Sequence, residues 1–372
     1  MITKIVHLSS AHPRYDTRIF VKECSSLAKT PNYEVGLVIA DGQGDEIKNH
    51  VSIYDIGAKL GGRLSRMTKT VNKVYQKAVE LDADVYHLHD PELIPIGVRL
   101  KSIGKKVIFD AHEDLPNQIK NKHYLNKISR VLLSEFAKKF EQIFCAKFDG
   151  IIVAAEPVIK DKFLKINPNT EVINNFPKIE ELGNLSNFER IPNQVCYIGG
   201  LAETRGIVQI TQAAEQVKDA SFVIAGNFPS QELEKRVTSM AGWQNVNFVG
   251  YVDRQGIQKV LGTSAIGLVT LHPTPSYVNS MPVKMFEYMC AGIPVIASNF
   301  ELWKPIIEAS DCGICVDPFD TRAIATAIDY LVENPQKAKE MGKNGRKAVE
   351  ELYSWEAEER KLIDFYDSVL QR

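Results

Sequence analysis

The chain has 372 residues, which exceeds one ordinary hydrophobic core and predicts two domains of under 200 residues each. Apolar residues make up 44% of the sequence, the share expected of a soluble globular protein. The 45 Lys and Arg residues against 46 Asp and Glu residues leave a net charge of -1, so no basic excess points to nucleic acid as a partner.

The distribution of apolar residues and cysteines favours a cytoplasmic protein. Residues 1–6 run directly into a strand pattern and lack the apolar region of a signal peptide. No run of 18 uncharged apolar residues predicts a membrane-spanning helix. The six cysteines are scattered along the chain, as is typical of reduced thiols.

Strand and helix patterns alternate in the first half of the chain. The predicted strands are 4–9, 34–39, 84–88, 106–109 and 150–153. The predicted helices are 17–28, 68–81, 95–103 and 127–147. Strands that alternate with helices predict a parallel sheet with helices on both faces, and we assign this α/β domain to residues 1–175.

The alternation fades over residues 174–193, which are rich in Asn, Pro and Glu, as in a linker. It then restarts and predicts a second domain of the same class over residues 190–350. The predicted strands there are 194–198, 221–225, 246–249, 266–269 and 294–298. The predicted helices are 207–217, 231–240, 253–262, 282–290 and 321–334.

A glycine-rich loop follows the predicted strand 194–198. Gly199 and Gly200 let the backbone approach a ligand, and the start of the next helix offers free N–H groups to an anion. Arg205 adds a forked cation that suits phosphate. The loop predicts a pyrophosphate site, with a plain turn and a surface arginine as the alternative.

The segment 279–292 carries the strongest pattern. Ser280 and Pro282 suit a helix start, and Ser280, Lys284 and Glu287 share one helix face. The neighbouring positions are mostly apolar, which predicts a buried helix, where a Lys and a Glu are costly unless paired or bound to ligand. We predict that Lys284 binds phosphates and Glu287 binds sugar hydroxyls. A Lys284–Glu287 surface pair is the alternative.

This segment resembles the donor-site motif of glycosyltransferase family 4, through F-E-Y-M-C-A-G-I-P-V-I-A-S preceded by P-x-K. Other segments with a similar order and spacing are Asp16–Phe20, Asp110–Glu113, Arg205–Gly206, Phe248–Val252 and Tyr353–Trp355. The resemblance covers nearly the whole chain. It implies a retaining enzyme with the GT-B fold, in which two Rossmann-like doubly wound domains face each other across a cleft. It also implies that a final helix, 351–372, crosses back to the first domain.

The resemblance assigns roles to individual residues. They are His112 and Glu287 for catalysis; Gly200, Arg205 and Lys284 for the diphosphate; Asn279, Ser280, Met281 and Pro282 for the donor sugar; Tyr251, Val252 and Glu287 for the nucleoside; and Arg14, Asp16 and Arg18 for the acceptor. Asn279 stands where the family usually has Glu, so the resemblance does not indicate which hexose the donor carries. Gly200 stands where a basic residue is frequent, so Arg205 and Lys284 would carry the diphosphate charge. We expect no metal and no cofactor. The expected donor substrate is a nucleotide-sugar, and a UDP-sugar is the first candidate.

The segment 120–147 is basic and partly amphipathic. Such a segment could dock on an anionic membrane, which would suit a lipid-linked acceptor, and a packed helix with a solvated basic face is the alternative. We therefore expect sugar transfer to a glycan or lipid-linked acceptor, in bacterial cell-surface polysaccharide biosynthesis. The expected location is the cytoplasm, with peripheral contact at the inner face of the plasma membrane.

Two other enzyme classes stay open at this point. His87, His89, Asp90 and His112 could ligate a divalent metal in a metallohydrolase, because His87 and His89 share one face of a strand. That hypothesis leaves the glycine-rich loop and the 279–292 helix unexplained. A nucleotide-sugar epimerase on the same architecture is the other alternative.

Overall fold

The computed structural model describes residues 2–59, 61–62, 65–112, 114–120, 126–154 and 157–371. The chain divides into two compact units. Unit 1 consists of Met1–Asn175 and Glu358–Arg372, and unit 2 consists of Phe176–Ala357. Within the described ranges, no helix combines the length and the apolar character that a bilayer crossing requires.

The described residues of unit 1 form an eight-stranded sheet. Its strands are β1 (Thr3–Leu8), β2 (Tyr33–Ile39), β3 (Glu46–Lys48), β4 (Val51–Asp55), β5 (Val85–Leu88), β6 (Lys106–Ala111), β7 (Gly150–Val153) and β8 (Thr170–Val172). The order is β3-β4-β2-β1-β5-β6-β7-β8, and every pair is parallel except β3 with β4. The sequence patterns missed β3, β4 and β8, because these strands lack the continuous apolar run of the buried central strands, and β3 and β8 have only three residues.

Helices cover the sheet of unit 1. They are α1 (Ser25–Leu27), α2 (Val71–Leu81), α3 (Ile94–Ser102), α4 (Leu115–Lys120), α5 (Lys127–Cys145) and α6 (Pro157–Leu164). Wider π-helical turns lead into the first two, at Thr17–Cys24 and Arg66–Thr70, and a 3₁₀ turn leads into α3, at Pro91–Leu93. The central strands β1, β5 and β6 are buried almost throughout, as expected of parallel strands covered on both faces.

The described residues of unit 2 form a six-stranded, fully parallel sheet. Its strands are β9 (Gln194–Ile198), β10 (Ser221–Ala225), β11 (Val246–Gly250), β12 (Ile266–Val269), β13 (Val295–Ser298) and β14 (Gly313–Val316), in the order β11-β10-β9-β12-β13-β14. The helices are α7 (Ile179–Leu182), α8 (Ile207–Gln216), α9 (Gln231–Thr238), α10 (Arg254–Thr263), α11 (Pro275–Val278), α12 (Val283–Cys290), α13 (Lys304–Ser310), α14 (Thr321–Glu333) and α15 (Pro335–Leu352). Hydrophobic clusters lie on both sides of the sheet. The predicted α/β class, with two Rossmann-like domains, is confirmed.

The last helix, α16 (Trp355–Gln371), contributes its residues from Glu358 onward to unit 1. The Glu358 carboxylate accepts hydrogen bonds from the backbone and side-chain amides of Asn174, at 2.8 and 3.1 Å. The Tyr366 hydroxyl is fully buried and lies 2.8 Å from Nδ1 of His87, which is on β5. The end of the chain is therefore part of the core of unit 1.

The segment 176–193 is packed against unit 2, although its composition suggests a linker. The Phe176 ring packs on the rings of Phe286 and Tyr353, with centroids 4.7 and 5.5 Å apart. Arg190 donates hydrogen bonds of 2.9 Å to the carbonyls of Ala291 and Gly292. The few anchoring residues are widely spaced among polar ones, so the sequence shows no periodic pattern.

Replacing Phe286 with Ala should destabilise unit 2. This ring is fully buried between Phe176 and Tyr353, and its removal leaves a cavity that costs about 3–5 kcal/mol of unfolding free energy. The three tryptophans of the chain all lie within unit 2, so their fluorescence during urea unfolding reports on this unit. Phe319→Ala is the matched control, because Phe319 is 54% exposed and should cost under about 0.5 kcal/mol. Equal losses for the two variants would contradict the packing described above.

Candidate functional site

Two cations meet beside the glycine that follows β9. Gly199 has φ +149°, a conformation that favours glycine. A Cβ atom built there would lie 3.1 Å from Nζ of Lys284 and 3.4 Å from Nη1 of Arg205, and it would collide with Cε of Lys284. The space left by the missing side chain is therefore what lets the ammonium and the guanidinium approach one backbone position.

Lys284 is a desolvated cation with charges of both signs nearby. Burial lowers its pKa, the carboxylate of Glu287 acts in the opposite direction, and the cations Arg205 and Arg254 lower the pKa further. In the part of the chain that the structure describes, no carboxylate forms an ion pair with Lys284. A desolvated cation without an internal counter-ion is suited to binding an anionic ligand.

Arg205 is held by an aromatic side chain. Its Nε donates a 3.3 Å hydrogen bond to the hydroxyl of Tyr277, and its guanidinium lies 6.0 Å from the centre of that ring. This contact leaves Nη1 beside Gly199, while Nε and Cζ of the same side chain lie 3.9 Å from a Cβ atom built at Gly200. The structure thus brings together the three residues predicted for the diphosphate: Gly200, Arg205 and Lys284.

Helix α12 begins at Val283, one residue later than predicted, and its cap is Pro282 without a capping side chain. Ser280, the predicted N-cap, has other partners. Its hydroxyl donates to the Tyr277 carbonyl at 3.4 Å, and its own carbonyl accepts from Nε1 of Trp303 at 2.6 Å. A helix start without a side-chain cap leaves N–H groups that attract anions.

Glu287 is paired with an arginine rather than with Lys284. Its carboxylate accepts a 2.7 Å hydrogen bond from Nη1 of Arg254, and Arg254 also binds the carboxylate of Glu181 in a bidentate manner. The surface pair of Lys284 with Glu287, the alternative to a ligand site, is not formed. No sequence motif indicates Arg254 or Glu181, which lie in α10 and α7. Their effect is to fix the orientation of a buried carboxylate.

The residues predicted for sugar and nucleoside lie in the same unit. Asn279 precedes α12 and its Nδ2 donates to the carbonyl of Pro275 at 3.0 Å. Met281 packs against the hydrophobic cluster that contains α12, and Val252 packs against the same cluster. Tyr251 follows β11 and is 76% exposed. Their roles in donor binding stay predictions.

In unit 1, His112 lies just after β6 and is held by Asp110. Nε2 of His112 is 2.9 Å from Oδ2 of Asp110 and 3.3 Å from Nδ1 of His89. Asp110 is fully buried and accepts a bidentate hydrogen bond from Arg18, at 2.8 and 2.9 Å. Burial alone would raise the pKa of Asp110, but Arg18 and His112 hold it well below its usual range. Glu113, the last residue of the predicted loop, lies outside the described residues.

The residues predicted for the acceptor have internal partners. Arg14 binds Asp41 through two hydrogen bonds of 2.8 Å and Glu46 through one of 3.1 Å. The Asp16 carboxylate accepts from the backbone N–H of Arg18 and of Ile19, which caps the following helix. Arg18 binds Asp110 and the carbonyl of Ile173. These contacts give all three a structural role, and acceptor binding by them stays a prediction.

The histidines of the metal hypothesis belong to a buried hydrogen-bonded network. Nδ1 of His7 lies 2.8 Å from Nε2 of His89, and potential ligand atoms of His7, Glu23, His87 and His89 lie within 4.8 Å of one another. Burial, then the neighbouring histidine His89, lowers the pKa of His7 and of His87 well below the usual value, so both imidazoles are neutral.

Asp90 lies outside this network. Its Oδ2 accepts from the backbone N–H of Ser10 at 2.6 Å, and its Oδ1 pairs with Nδ1 of His12 at 3.1 Å. The set His87, His89, Asp90 and His112 is therefore not one cluster: His87 and His89 group with His7 and Glu23, whereas His89 and His112 group with Asp110. A residue that helps to hold the network, Tyr366, comes from the other end of the chain, so sequence reasoning could not place it.

A cavity of about 840 Å³ opens in unit 1. Its lining includes His12, Asp90 and His112, which follow the ends of β1, β5 and β6. It also includes Phe136, Phe140 and the buried Glu141 of α5. Ligands of parallel α/β sheets bind at the carboxyl ends of the strands, so this cavity is the candidate ligand site of unit 1.

Asp110→Asn should destabilise unit 1, because it leaves the buried guanidinium of Arg18 without its bidentate partner. We expect a loss of about 3 kcal/mol, measured by hydrogen exchange of peptides from β5 and β6 in increasing urea. The control is Glu80→Gln, which breaks an exposed pair with Lys77 and should cost under about 1 kcal/mol. A loss no larger than that of the control would show that the Arg18–Asp110 pair does not stabilise the fold.

The site can now be compared with known proteins. Residues 180–348 match the family model described as glycosyl transferases group 1. Alpha-D-kanosaminyltransferase of Streptomyces kanamyceticus is 27% identical over 180 residues, which are 47% of this chain and 45% of that enzyme. D-rhamnosyltransferase WbpZ of Pseudomonas aeruginosa is 25% identical over 293 residues, or 73% and 70% of the two chains. The crystal structure of Anabaena HepE with UDP and glucose aligns with a TM-score of 0.73, over 98% of this chain and 100% of that one, at 15% identity.

The family match lies almost entirely within unit 2 and includes β9, the glycine loop and α12. The fold likeness extends over both units and confirms the GT-B architecture. The protein is an enzyme of the glycosyltransferase class, and its residues 180–348 are similar to the group 1 glycosyl transferases.

Proposed function

We propose that this enzyme is a retaining glycosyltransferase of family 4 that takes its sugar from a nucleoside diphosphate-sugar. The observation that carries the proposal is the meeting of Lys284 and Arg205 beside Gly199. Two cations at one backbone position, one of them desolvated and without an internal ion pair in the described ranges, match the charge of a diphosphate. Unit 2 is thus the donor-binding unit.

The arrangement fits the chemistry of sugar transfer. As the bond from the sugar to the diphosphate breaks, negative charge grows on the leaving phosphate and positive charge grows on the sugar ring. Lys284, Arg205 and the uncapped start of α12 would stabilise that leaving group without a metal ion. The Glu287 carboxylate, oriented by Arg254, would accept hydrogen bonds from donor hydroxyls.

A UDP-sugar is the donor that we place first. Support comes from the HepE structure, which was determined in complex with UDP and glucose. Tyr251 and Val252 after β11 would contact the base, and residues 279–282 would contact the sugar. The identity of the sugar stays open, because Asn279 replaces the glutamate that is usual in the family.

The acceptor would bind in unit 1, where His112, which lines the cavity, would contact the reacting groups. We propose a role in cell-surface polysaccharide assembly from the cytoplasmic side, with a glycan or a lipid-linked acceptor.

Retention means that the sugar keeps its anomeric configuration. NMR of the product should show the same anomeric configuration at the transferred sugar as in the donor. A product with the inverted configuration would contradict assignment to a retaining family.

Binding of nucleoside diphosphates tests the donor site. Thermal shift with UDP, GDP, ADP and CMP, each with and without EDTA, should show stabilisation by one diphosphate that EDTA does not remove. Loss of one charge-assisted phosphate contact costs about 1.5–3 kcal/mol, so Lys284→Ala should weaken that binding about 10–100-fold. The matched control, Lys304→Ala, removes a lysine that is half exposed in the same unit and should bind normally.

Turnover distinguishes the enzyme classes. Lys284→Ala and Glu287→Ala should lower turnover at least about 100-fold while the protein remains folded. Wild-type rates in both variants would refute the site. Conversion of the donor sugar without any acceptor would indicate the epimerase, and activity that EDTA abolishes would indicate the metallohydrolase.

A further inference from the structure

Three histidine side chains lie on one face of the sheet of unit 1. His7 on β1 and His87 on β5 are register partners in neighbouring parallel strands, so their side chains point to the same side. His89 comes two residues after His87 and shares that face, because side chains of a strand alternate between its faces. The centroids of the three rings are 4.4, 4.7 and 5.1 Å apart. Strand geometry therefore collects three nitrogen donors at one place.

A carboxylate joins these histidines from the π-helical turn Thr17–Cys24. Oε2 of Glu23 lies 3.9 Å from Nε2 of His89 and 4.0 Å from Nδ1 of His87. One ligand atom from each of the four residues lies within 4.8 Å of the others, and none of the four is more than 1% exposed. We call His7, Glu23, His87 and His89 the inner cluster.

The inner cluster contains polar atoms that hydrogen bonds do not satisfy. Among the residues that the structure describes, no hydrogen-bond partner exists for either carboxylate oxygen of Glu23 or for Nε2 of His87. Oε1 of Glu23 has an ion pair of 3.1 Å with Nε of Arg18, but that nitrogen donates its hydrogen to Asp110. Buried polar groups are normally paired, and a buried carboxylate is costly without a counter-charge. These atoms therefore indicate a bound cation.

The outer nitrogens of the rings are held by oxygen atoms. The Tyr366 hydroxyl lies 2.8 Å from Nδ1 of His87 and 3.4 Å from Nε2 of His7. Nδ1 of His89 lies 3.5 Å from Oδ2 of Asp110. Histidines that bind a metal usually have their second ring nitrogen held by such an oxygen, which fixes the orientation of the ring. The arrangement around the inner cluster has this pattern.

We propose that the inner cluster binds one zinc ion with a structural role. Neutral imidazole nitrogens and a carboxylate oxygen are zinc ligands, and four protein ligands give the closed tetrahedral coordination of structural zinc. Ligand atoms about 2.0–2.2 Å from zinc lie roughly 3.3–3.5 Å from one another. The distances of 2.8 Å between His7 and His89 and 3.9 Å between Glu23 and His89 lie on either side of that value, so small side-chain shifts suffice.

The zinc ion is separate from the chemistry of sugar transfer. Its four ligands leave no open position for water or substrate, and all of them belong to unit 1, whereas Lys284 and Arg205 belong to unit 2. This inference therefore goes beyond the proposed function. The sequence does not predict the ion, because His7 and Glu23 are distant from His87 in the chain.

A second group of potential ligands consists of His89, Asp110 and His112. Both oxygens of Asp110 already accept hydrogen bonds from Arg18, and the side chain of His112 is 21% exposed. This group offers three ligands where the inner cluster offers four. The structure therefore favours the inner cluster.

A proton on Glu23 is the alternative to a metal ion. Burial, and then the charge of Asp110, raises the pKa of Glu23 well above its usual value, so this carboxyl group holds a proton in a metal-free chain. A proton on Glu23 leaves Nε2 of His87 unpartnered within the described residues, whereas one zinc ion satisfies both side chains. The metal content of the protein distinguishes the two states.

Zinc analysis of the full chain tests the proposal. The protein is expressed in zinc-supplemented medium without a polyhistidine tag and is dialysed against EDTA in the folded state, which removes loosely held ions. Atomic emission should then find one zinc ion per chain, because a closed site releases its ion slowly. X-ray absorption at the zinc edge should show imidazole nitrogens and a carboxylate oxygen at about 2.0–2.2 Å.

Three variants locate the ion. Glu23→Gln keeps the size of the side chain but removes the anionic ligand, so the retained zinc should fall at least about tenfold. His112→Gln should retain the zinc, because His112 belongs only to the second group. His50→Asn is the matched control, since His50 is an exposed histidine of unit 1 and Asn tolerates its positive φ of 62°.

The zinc ion should also slow hydrogen exchange at the end of the chain. Tyr366 of α16 contacts two of the proposed ligands, so peptides from residues 358–371 should exchange more slowly in zinc-loaded protein than in protein expressed with a chelator. The thermal shift of unit 2 with a nucleoside diphosphate should be the same in both preparations. Loss of that shift in both would refute the donor site and not the zinc site.

Three results would overturn the inference. The first is a wild-type chain that retains no zinc after dialysis, which would leave the proton as the occupant. The second is zinc whose X-ray absorption lacks imidazole ligands, and this measurement on the wild type decides the matter even where Glu23→Gln does not fold. The third is zinc that Glu23→Gln retains in full, and its loss from His112→Gln would then place the ion in the second group.

Discussion

The absence of one side chain, at Gly199, is the constraint on which the donor site depends. It leaves room for Lys284 and Arg205 beside the end of β9, because a Cβ atom there would collide with Cε of Lys284 and would lie in contact with Nη1 of Arg205. Sheet topology supplies the rest. β9 is central in unit 2, so the loop that follows it lies at the carboxyl edge of the sheet, where parallel α/β folds bind ligands.

The two units treat their buried charges in different ways. In unit 1, Arg18, Asp110, His112 and His89 satisfy one another through direct hydrogen bonds and ion pairs. In unit 2, Lys284 has no such partner among the described residues, and its pKa is lowered as a result of burial first. An internally neutralised network stabilises a fold, whereas an unneutralised cation is available to a substrate. This difference supports donor binding by unit 2.

Much of the fold could be predicted from the sequence, because the strands are short apolar runs with turns between them and the helices have apolar periodicity. The glycine loop and α12 could be found for a similar reason, since glycines, Lys284 and Glu287 stand at fixed local spacings. The short strand β3 has too few residues to show a pattern. Arg254 could not be foreseen as the partner of Glu287, because 33 residues separate them and no motif links them.

Long-range packing also determines helix boundaries and contacts that local sequence patterns do not indicate. The polar composition of residues 176–193 suggests a linker, yet Phe176 is buried against Phe286. Ser280 suits an N-cap, but its carbonyl is taken by Trp303 and the helix begins at Val283. Tyr366 joins His87 across 279 residues of sequence. In each case the deciding partner is distant in the chain.

A crystal structure of the protein with UDP would show whether Lys284 and Arg205 bind the diphosphate of the donor. The β-phosphate oxygens should lie within hydrogen-bond distance of Nζ of Lys284 and of the Arg205 guanidinium, next to Gly199. A nucleotide whose phosphates lie away from both cations, or one bound in unit 1, would contradict this binding.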